Sequence, residues 1–489
     1  MSTQKINELE PKAIWENFAA LNAIPRASKK EEGIRAFMIE FAKNLGLEVA
    51  TDKVGNVLIK KQASAGMENK QTVVLQAHLD MVHQKNNDTD FNFETQGIDM
   101  YLDGDWVKAR GTTLGADNGL GVAAIMGILS SNTIQHPPLE ALFTIDEETG
   151  MTGALGLEGG FIQGKMLLNL DTEDDDELDI GCAGGMDVTA TMTYNQVACP
   201  AINVGLRLII NGLKGGHSGM DIHLGLGNAN KLMNRFLYLL CPEHGVMVSS
   251  INGGGLRNAI PRESIAVLSV HPDLETKVRA HFEVLRQEIM AEYRLAEPNL
   301  KISLESISGP EKAVDPLVEM AIIKAIAGAV NGVYRMSPGM PDLVEASNNV
   351  AKVEVNDGNA RIMCLTRSSV ESTKLEVANS LRAVFELAGF ECQFSGSYPG
   401  WSPNPTSTLL ELMKNQYSQL FGTEPRVVAC HAGLECGIIG SHYPGMEMIS
   451  FGPTIKGAHS PDERASVSSS QKFWRLLLQT LSNIPDVHA

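Results

Sequence analysis

Hydrophobic positions along the chain change period several times, and the changes mark out its elements. Trp15, Phe18 and Leu21 recur at helical spacing, as do Ile34, Phe37, Met38, Phe41 and Leu45. Ser28 and Glu31 stand at capping-box spacing ahead of the second helix, and Gly46 suits its C-terminal cap. Two short strands around Val54-Gly55-Asn56 follow. Residues 84–110 have irregular polar content and read as a loop. From Val122 to Leu129 the chain is small and apolar all round, the pattern of a buried helix.

Three apolar runs share an ending. Thr72 to Ala77 runs into His78 and Asp80, Leu139 to Ile145 into Asp146-Glu147-Glu148, and Met166 to Leu170 into Asp171. Short Val/Leu-rich runs bounded by polar residues read as buried strands. Side chains two apart on a strand face the same side, so His78 and Asp80 can touch. In open α/β sheets ligands bind beyond the carboxyl ends of the strands, where these residues sit.

From residue 187 the texture shifts to strands and helices without acidic strand ends, and the turn-rich Pro399-Gly400-Trp401-Ser402-Pro403 marks a return. The expected architecture is α/β: a mixed-sheet domain flanked by helices, residues 1–186 and 399–489, with an α+β domain, 187–398, inserted into it. Segments 246–306 and 343–395 share a strand–turn–strand–helix–strand order, a weak internal repeat.

Composition narrows the functions. A net charge of −18, with no Lys/Arg-rich run, argues against a nucleic-acid partner. Seven cysteines without a C-x-x-C pair do not form a disulfide framework, and a reducing compartment is the simpler reading. Met1 to Glu10 lacks the apolar core of a secretion signal, and no apolar run is long enough to span a bilayer. A soluble cytoplasmic protein with no membrane partner is expected. The acidic run Glu173 to Glu177 reads as a solvated loop.

The candidates for chemistry are His78, Asp80, Asp117, Glu147, Glu148, Asp171 and His459, which end strands or sit in glycine-bracketed turns. Asp117 lies in Gly111-Thr112-Thr113-Leu114-Gly115-Ala116-Asp117-Asn118-Gly119, which lacks both phosphate-loop signatures. Two imidazoles and three carboxylates suit a pair of first-row divalent ions sharing one carboxylate. No thiolate is evident, so ligand softness does not separate zinc from cobalt or manganese. Adjacent Glu147 and Glu148 are expected on opposite sides of an extended backbone. Gly433, in a Gly-rich turn after the strand near 426–430, is placed to offer backbone N–H groups to a carboxylate. No G-x-S-x-G elbow is present.

Ala77-His78-Leu79-Asp80, Gly115-Ala116-Asp117-Asn118-Gly119, Asp146-Glu147-Glu148-Thr149-Gly150, Asn169-Leu170-Asp171 and Gly457-Ala458-His459-Ser460 together resemble the di-zinc aminoacylase/desuccinylase/dipeptidase family. His431-Ala432-Gly433-Leu434-Glu435-Cys436-Gly437 and Gly254-Gly255-Leu256-Arg257-Asn258-Ala259-Ile260-Pro261 resemble its bacterial aminoacyl-histidine dipeptidase branch. The resemblance implies two divalent ions, zinc foremost and cobalt or manganese as alternatives. His78 and Asp171 would hold one, Glu148 and His459 the other, and Asp117 both. It implies Asp80 orienting His78, and Glu147 as general base toward a metal-bridged water. The inserted domain would be a lid whose His217 stabilises the oxyanion, with His223 as a rival. Asn258 and Arg367 would contact substrate. Dipeptides, Xaa-His among them, are the implied substrates, and a homodimer the implied assembly. A deacylase, tripeptidase or carboxypeptidase of the same family, or a non-catalytic binding relative, would carry the same motifs.

Overall fold

Val73–His78, Leu139–Thr144 and Met166–Asn169 are strands buried along their whole length. A strand covered on both faces belongs inside a helix-flanked sheet with parallel neighbours. The computed structural model, which describes residues 3–487, pairs all three in parallel, with Leu75 opposite both Ala141 and Leu168. They form the centre of an eight-stranded mixed sheet of order 48–51, 57–61, 139–144, 73–78, 166–169, 447–450, 177–182, 426–430. Parallel neighbours bring their carboxyl ends to one edge, so one edge receives His78, Glu147, Glu148 and Asp171. The helix Ala116–Ser130 is buried from Asn118 to Leu129 and packs on the central strand and on the helix Lys12–Asn22, which buries Trp15, Phe18 and Leu21. Met1 and Ser2, the start of the polar N-terminal stretch, lie outside the described residues.

The chain divides into two compact units: residues 1–181, 403–429 and 434–489 in the first, 182–402 and 430–433 in the second. The second unit holds a nine-stranded antiparallel sheet. Its main path is 301–307, 204–211, 264–270, 247–254, 344–356, 359–368, 184–193, 391–398, with 332–336 paired to 344–356. Each half contains a hairpin, a helix (Pro272–Glu292 or Glu371–Leu387), a returning strand, and an earlier strand lying between hairpin and return. The halves meet at the antiparallel pair Ile251–Val355. Phe236, Phe282, Ile322 and Phe385 on four helices join the strand residues in one apolar core.

Three local expectations are corrected. The stretch 84–110 is not all loop: Met100–Asp103 pairs with Trp106–Ala109 around Gly104, and the latter strand pairs with Arg464–Ser466. Both strands are only four residues long, and Met100, Val107 and Ala109 alone are buried, too few to show a period. The Ser28–Glu31 capping box does not form. Glu31 is itself the N-cap residue of Glu32–Asn44; its carboxylate accepts from the N–H groups of Lys29 (2.8 Å) and Asp146 (3.0 Å), and Ser28 Oγ donates to Asp80 (2.8 Å). Buried acids and backbone at the strand ends take both side chains. The acidic run is pinned rather than freely solvated: Asp175 pairs with Lys472 (2.8 Å), Asp174 with Lys456 (2.5 Å), and Asp176 bidentately with Arg426 (3.0 and 2.9 Å), which also meets Glu177 (2.7 Å).

Candidate metal centre

Asp117 is the hinge of the first unit's site. Its Oδ1 lies 3.1 Å from His78 Nε2, and its Oδ2 3.2 Å from His459 Nε2. His78 Nε2 is also 3.4 Å from Asp171 Oδ1, and His459 Nε2 is 2.9 Å from Glu148 Oε2. Ligand atoms of His78, Asp117 and Asp171 lie within 4.8 Å of one another, and so do those of Asp117, Glu148 and His459. Two trios thus share one carboxylate. The backbone explains how Asp117 gets there: it and Asn118 depart from helical φ/ψ at the start of the buried helix, and Gly115 before them has φ 70°.

Supporting side chains hold this turn. Glu463 accepts from the N–H groups of Leu114 (2.7 Å), Gly115 (2.9 Å), Ala116 (2.8 Å) and Asp117 (3.3 Å), satisfying donors that a helix start leaves open. Buried Arg26 donates to the carbonyls of Gly115 (2.6 Å) and of Leu79 and Asp80 (3.3 Å each), tying the turn to the end of the central strand. Asn118 donates to the Leu170 carbonyl (2.6 Å) and to Asp171. Below them Glu435 accepts from Gln76 and Thr144 at 2.7 Å each. Arg26 and Glu463 have no sequence signal of their own, and Asn118 and Glu435, though inside motifs that carry the family resemblance, are assigned no role by sequence. Each is a polar residue whose partners lie far along the chain.

Glu147 and Glu148 do not flank an extended backbone. They open a helical turn, Glu147–Gly150, after Asp146 in the left-handed region (φ 53°). Asp80 caps this turn: its Oδ1 accepts from Glu147 N at 3.0 Å and its Oδ2 from Glu148 N at 3.2 Å. A helical turn separates adjacent side chains by about 100°, so the two glutamates still diverge. Asp80 Oδ1 is 3.4 Å from His78 Nδ1, farther than the Asp80 carbonyl at 3.2 Å, so its side chain bears more directly on the two glutamates than on the imidazole.

The electrostatics suit cations. Five carboxylates, Asp80, Asp117, Glu147, Glu148 and Asp171, crowd two imidazoles. Burial, with Asp117 and Glu148 nearby, raises the Asp171 carboxyl to about 6. Burial, with Asp171, Glu435 and Glu148, pushes Glu147 well above the usual carboxylate range. Hydrogen bonds to Asp117 and Glu148 raise His459 to about 11. His78, which burial alone would lower, is raised by Asp171, Asp117 and Asp80. Glu148 Oε1 is buried with no hydrogen-bond partner. Glu147 and Asp171 resist ionisation and both imidazoles resist neutrality. His78 helps hold Asp80 down to about 2, and both imidazoles hold Asp117 well below the usual carboxylate range. This is the pattern of a site short of positive charge. Oxygen and imidazole-nitrogen donors in two trios fit a pair of first-row divalent ions.

The second unit holds a cluster of opposite character. His217 Nδ1 accepts from the N–H groups of Gly219 (3.2 Å) and Met220 (3.0 Å), so the neutral ring carries its proton on Nε2. Burial and the Arg367 charge lower the His217 pKa, favouring that neutral form. Arg367 Nη2 lies 3.4 Å from Nε2, two donors side by side. Arg367 Nη1 donates to Tyr398 Oη (2.9 Å), and the Arg367 Nε is buried without a partner. Among the described residues no carboxylate lies within ion-pair distance of this guanidinium, which is 4% exposed. His431 Nε2 is 2.7 Å from Ser347 Oγ, and burial with Arg367, His217 and His223 lowers its pKa to about 3. A buried guanidinium beside a neutral N–H donor is built for an anionic oxygen. Asn258 is exposed, and its carbonyl accepts from Ser218 N (2.8 Å). His223 is exposed in the short helical turn Ile222–Leu224. Gly433 lies half-buried in the loop before Glu435–His442. Tyr398 and His431 carried no role in the sequence reading; only the folded sheet places Tyr398 against Arg367.

The sequence profile of Peptidase family M20/M25/M40 matches residues 74–483. The chain is 44% identical to the cytosol non-specific dipeptidase of Escherichia coli (strain K12) over 485 residues, covering 98% of this chain and 99% of that one. It superimposes on the crystal structure of aminoacylhistidine dipeptidase from Vibrio alginolyticus with a TM-score of 0.94 and 42% identity, over 98% of both chains. The aminopeptidase PepT of Bacillus cereus shares the mixed α/β fold at 15% identity, with a TM-score of 0.57 over 97% of this chain and 99% of that one. Members of this family are metallopeptidases that use divalent metal, and the two trios around Asp117 are ligand groups of the kind that use requires. The chain belongs to Peptidase family M20/M25/M40.

Proposed function

We propose that this chain is a cytosolic dipeptidase working with two divalent ions, zinc foremost, on dipeptides that include Xaa-His substrates such as β-alanyl-histidine. The observation that carries the reading is the Asp117 carboxylate, whose two oxygens face separate imidazoles, each with its own acidic partner. The substrate class rests on full-length similarity to two proteins described as dipeptidases.

His78 and Asp171 would hold one ion and Glu148 and His459 the other, with Asp117 contributing an oxygen to each. The two cations, when bound, supply Lewis acidity to the scissile carbonyl and acidify the attacking water. Glu147 takes the proton from that water and returns it to the leaving amine nitrogen, so a carboxyl that holds protons well is suited to the task. Asp80 fixes the turn that carries Glu147 and Glu148. His217 donates through Nε2–H to the developing oxyanion, and Arg367, held by Tyr398, binds the substrate α-carboxylate. Asn258 and the Gly433 backbone complete the substrate contacts. The inserted unit acts as the lid, and the like order of its two half-sheets supports an internal duplication. The family resemblance supports a homodimer, which light scattering of the metal-loaded enzyme reads directly.

The test is a panel of dipeptides, tripeptides and acyl-amino acids with metal-loaded enzyme and with Glu147→Ala. Cleavage confined largely to dipeptides, and lost in the variant while metal content is kept, is the expected result. Preferred cleavage of acyl-amino acids or tripeptides overturns the substrate class.

A further inference from the structure

The last turn of the helix Ala229–His244 carries Glu243 and His244, and the helix Pro272–Glu292 carries His281. The helices pack through Phe236 and Phe282, whose ring centroids are 5.3 Å apart, so the backbone beneath the three side chains is firmly placed. His244 Nε2 lies 3.0 Å from His281 Nδ1. His281 Nδ1 is 3.5 Å from Glu243 Oε2, and His244 Nε2 is 3.8 Å from Glu243 Oε1. Among the described residues Glu243 has these two imidazoles as ion-pair partners and no lysine or arginine.

We propose that Glu243, His244 and His281 form a further binding site for a divalent transition-metal ion of the zinc, nickel and copper class, with water completing the shell. A tetrahedral ion about 2.0–2.1 Å from its donors spaces them about 3.3 Å apart; the 3.0 Å between the imidazole nitrogens and the 3.5 Å from His281 to Glu243 Oε2 lie on either side of that value, while His244 meets the other carboxylate oxygen at 3.8 Å. Two imidazoles and one carboxylate select this class over calcium or magnesium, which take oxygen shells. The two ring nitrogens share one hydrogen between them. When the ion enters, that hydrogen moves to the outer nitrogen of its own ring, and both inner lone pairs are freed without net proton release. His244 stands at a helix C-terminus, whose open carbonyls favour a cation. The imidazoles are 11% and 23% exposed and the carboxylate 59%, so the site is reachable from solvent while its nitrogens stay ordered. An ion here ties the end of one helix to the body of the other. The inference is independent of the peptidase reading, since none of its ligands belongs to that machinery.

The experiment is a calorimetric titration of Zn2+ into enzyme already saturated at the candidate metal centre, for wild type, His281→Gln and Glu243→Gln. Wild type should show one additional binding event per chain. That event should vanish in His281→Gln and weaken in Glu243→Gln, whose exposed position leaves folding untouched, with hydrolytic rates unchanged in both. Absence of the event in wild type, or the same isotherm in wild type and both variants, overturns the proposal.

Discussion

The two units solve opposite electrostatic problems. The first brings carboxylates together at the ends of parallel strands, and the crowding drives Glu147 and Asp171 upward and His459 to about 11. The second gathers cationic and N–H donors, Arg367 on its antiparallel sheet and His217 in the loop after the strand 204–211, and there burial and mutual repulsion drive His217 and His431 downward. The same residue type, histidine, is pushed in opposite directions by its neighbours. The contrast teaches that one cluster lacks cations and the other lacks an anion.

Breaking the anionic cluster at its base should have the largest effect. Glu147→Ala is expected to lower kcat by roughly 10²–10⁴-fold while elemental analysis finds metal content unchanged. His217→Ala should cost roughly 10²–10³-fold in kcat; a near-normal rate would move the donor role to His223. Arg367→Lys keeps the charge but loses the planar fork. It should raise KM by roughly ten- to a hundredfold with a smaller change in kcat, sharpening the distinction between a carboxylate anchor and an oxyanion donor.

The smallest effect is on stability. Burial lifts the Glu319 carboxyl from 4.5 to about 7, while it accepts a hydrogen bond from Val248 N. The folded state therefore binds the proton more tightly than the unfolded one. The contribution of Glu319 to stability should be fully present below about 4.5 and be lost as pH rises through about 7. Glu319→Gln removes that decline, so its melting temperature relative to wild type should climb between pH 5 and pH 8, reflecting at most about 3 kcal/mol.

What the sequence disclosed follows from range. His78 and Asp171 announce themselves because each ends an apolar run, and that local pattern is enough to place them on one edge of a parallel sheet. The strand–turn–strand–helix–strand order of 246–306 and 343–395 was legible, and the helices Pro272–Glu292 and Glu371–Leu387 fall inside those segments. Glu463 and Arg26 were not legible, because each bonds backbone groups scores or hundreds of residues away and neither interrupts a pattern. The turn at Glu147 escaped for another reason: its helical form depends on Asp80 capping it across 67 residues, which no local propensity encodes. Ser28 misled because its hydroxyl serves Asp80 instead of a local cap.

Zinc-edge anomalous diffraction from crystals of the metal-loaded enzyme tests the central claim most directly. Two peaks are predicted in the first unit, one about 2.0–2.2 Å from His78 and Asp171, the other at like distance from Glu148 and His459, with one Asp117 oxygen on each. A single peak, or two peaks of which either lacks contact with Asp117, would contradict the account.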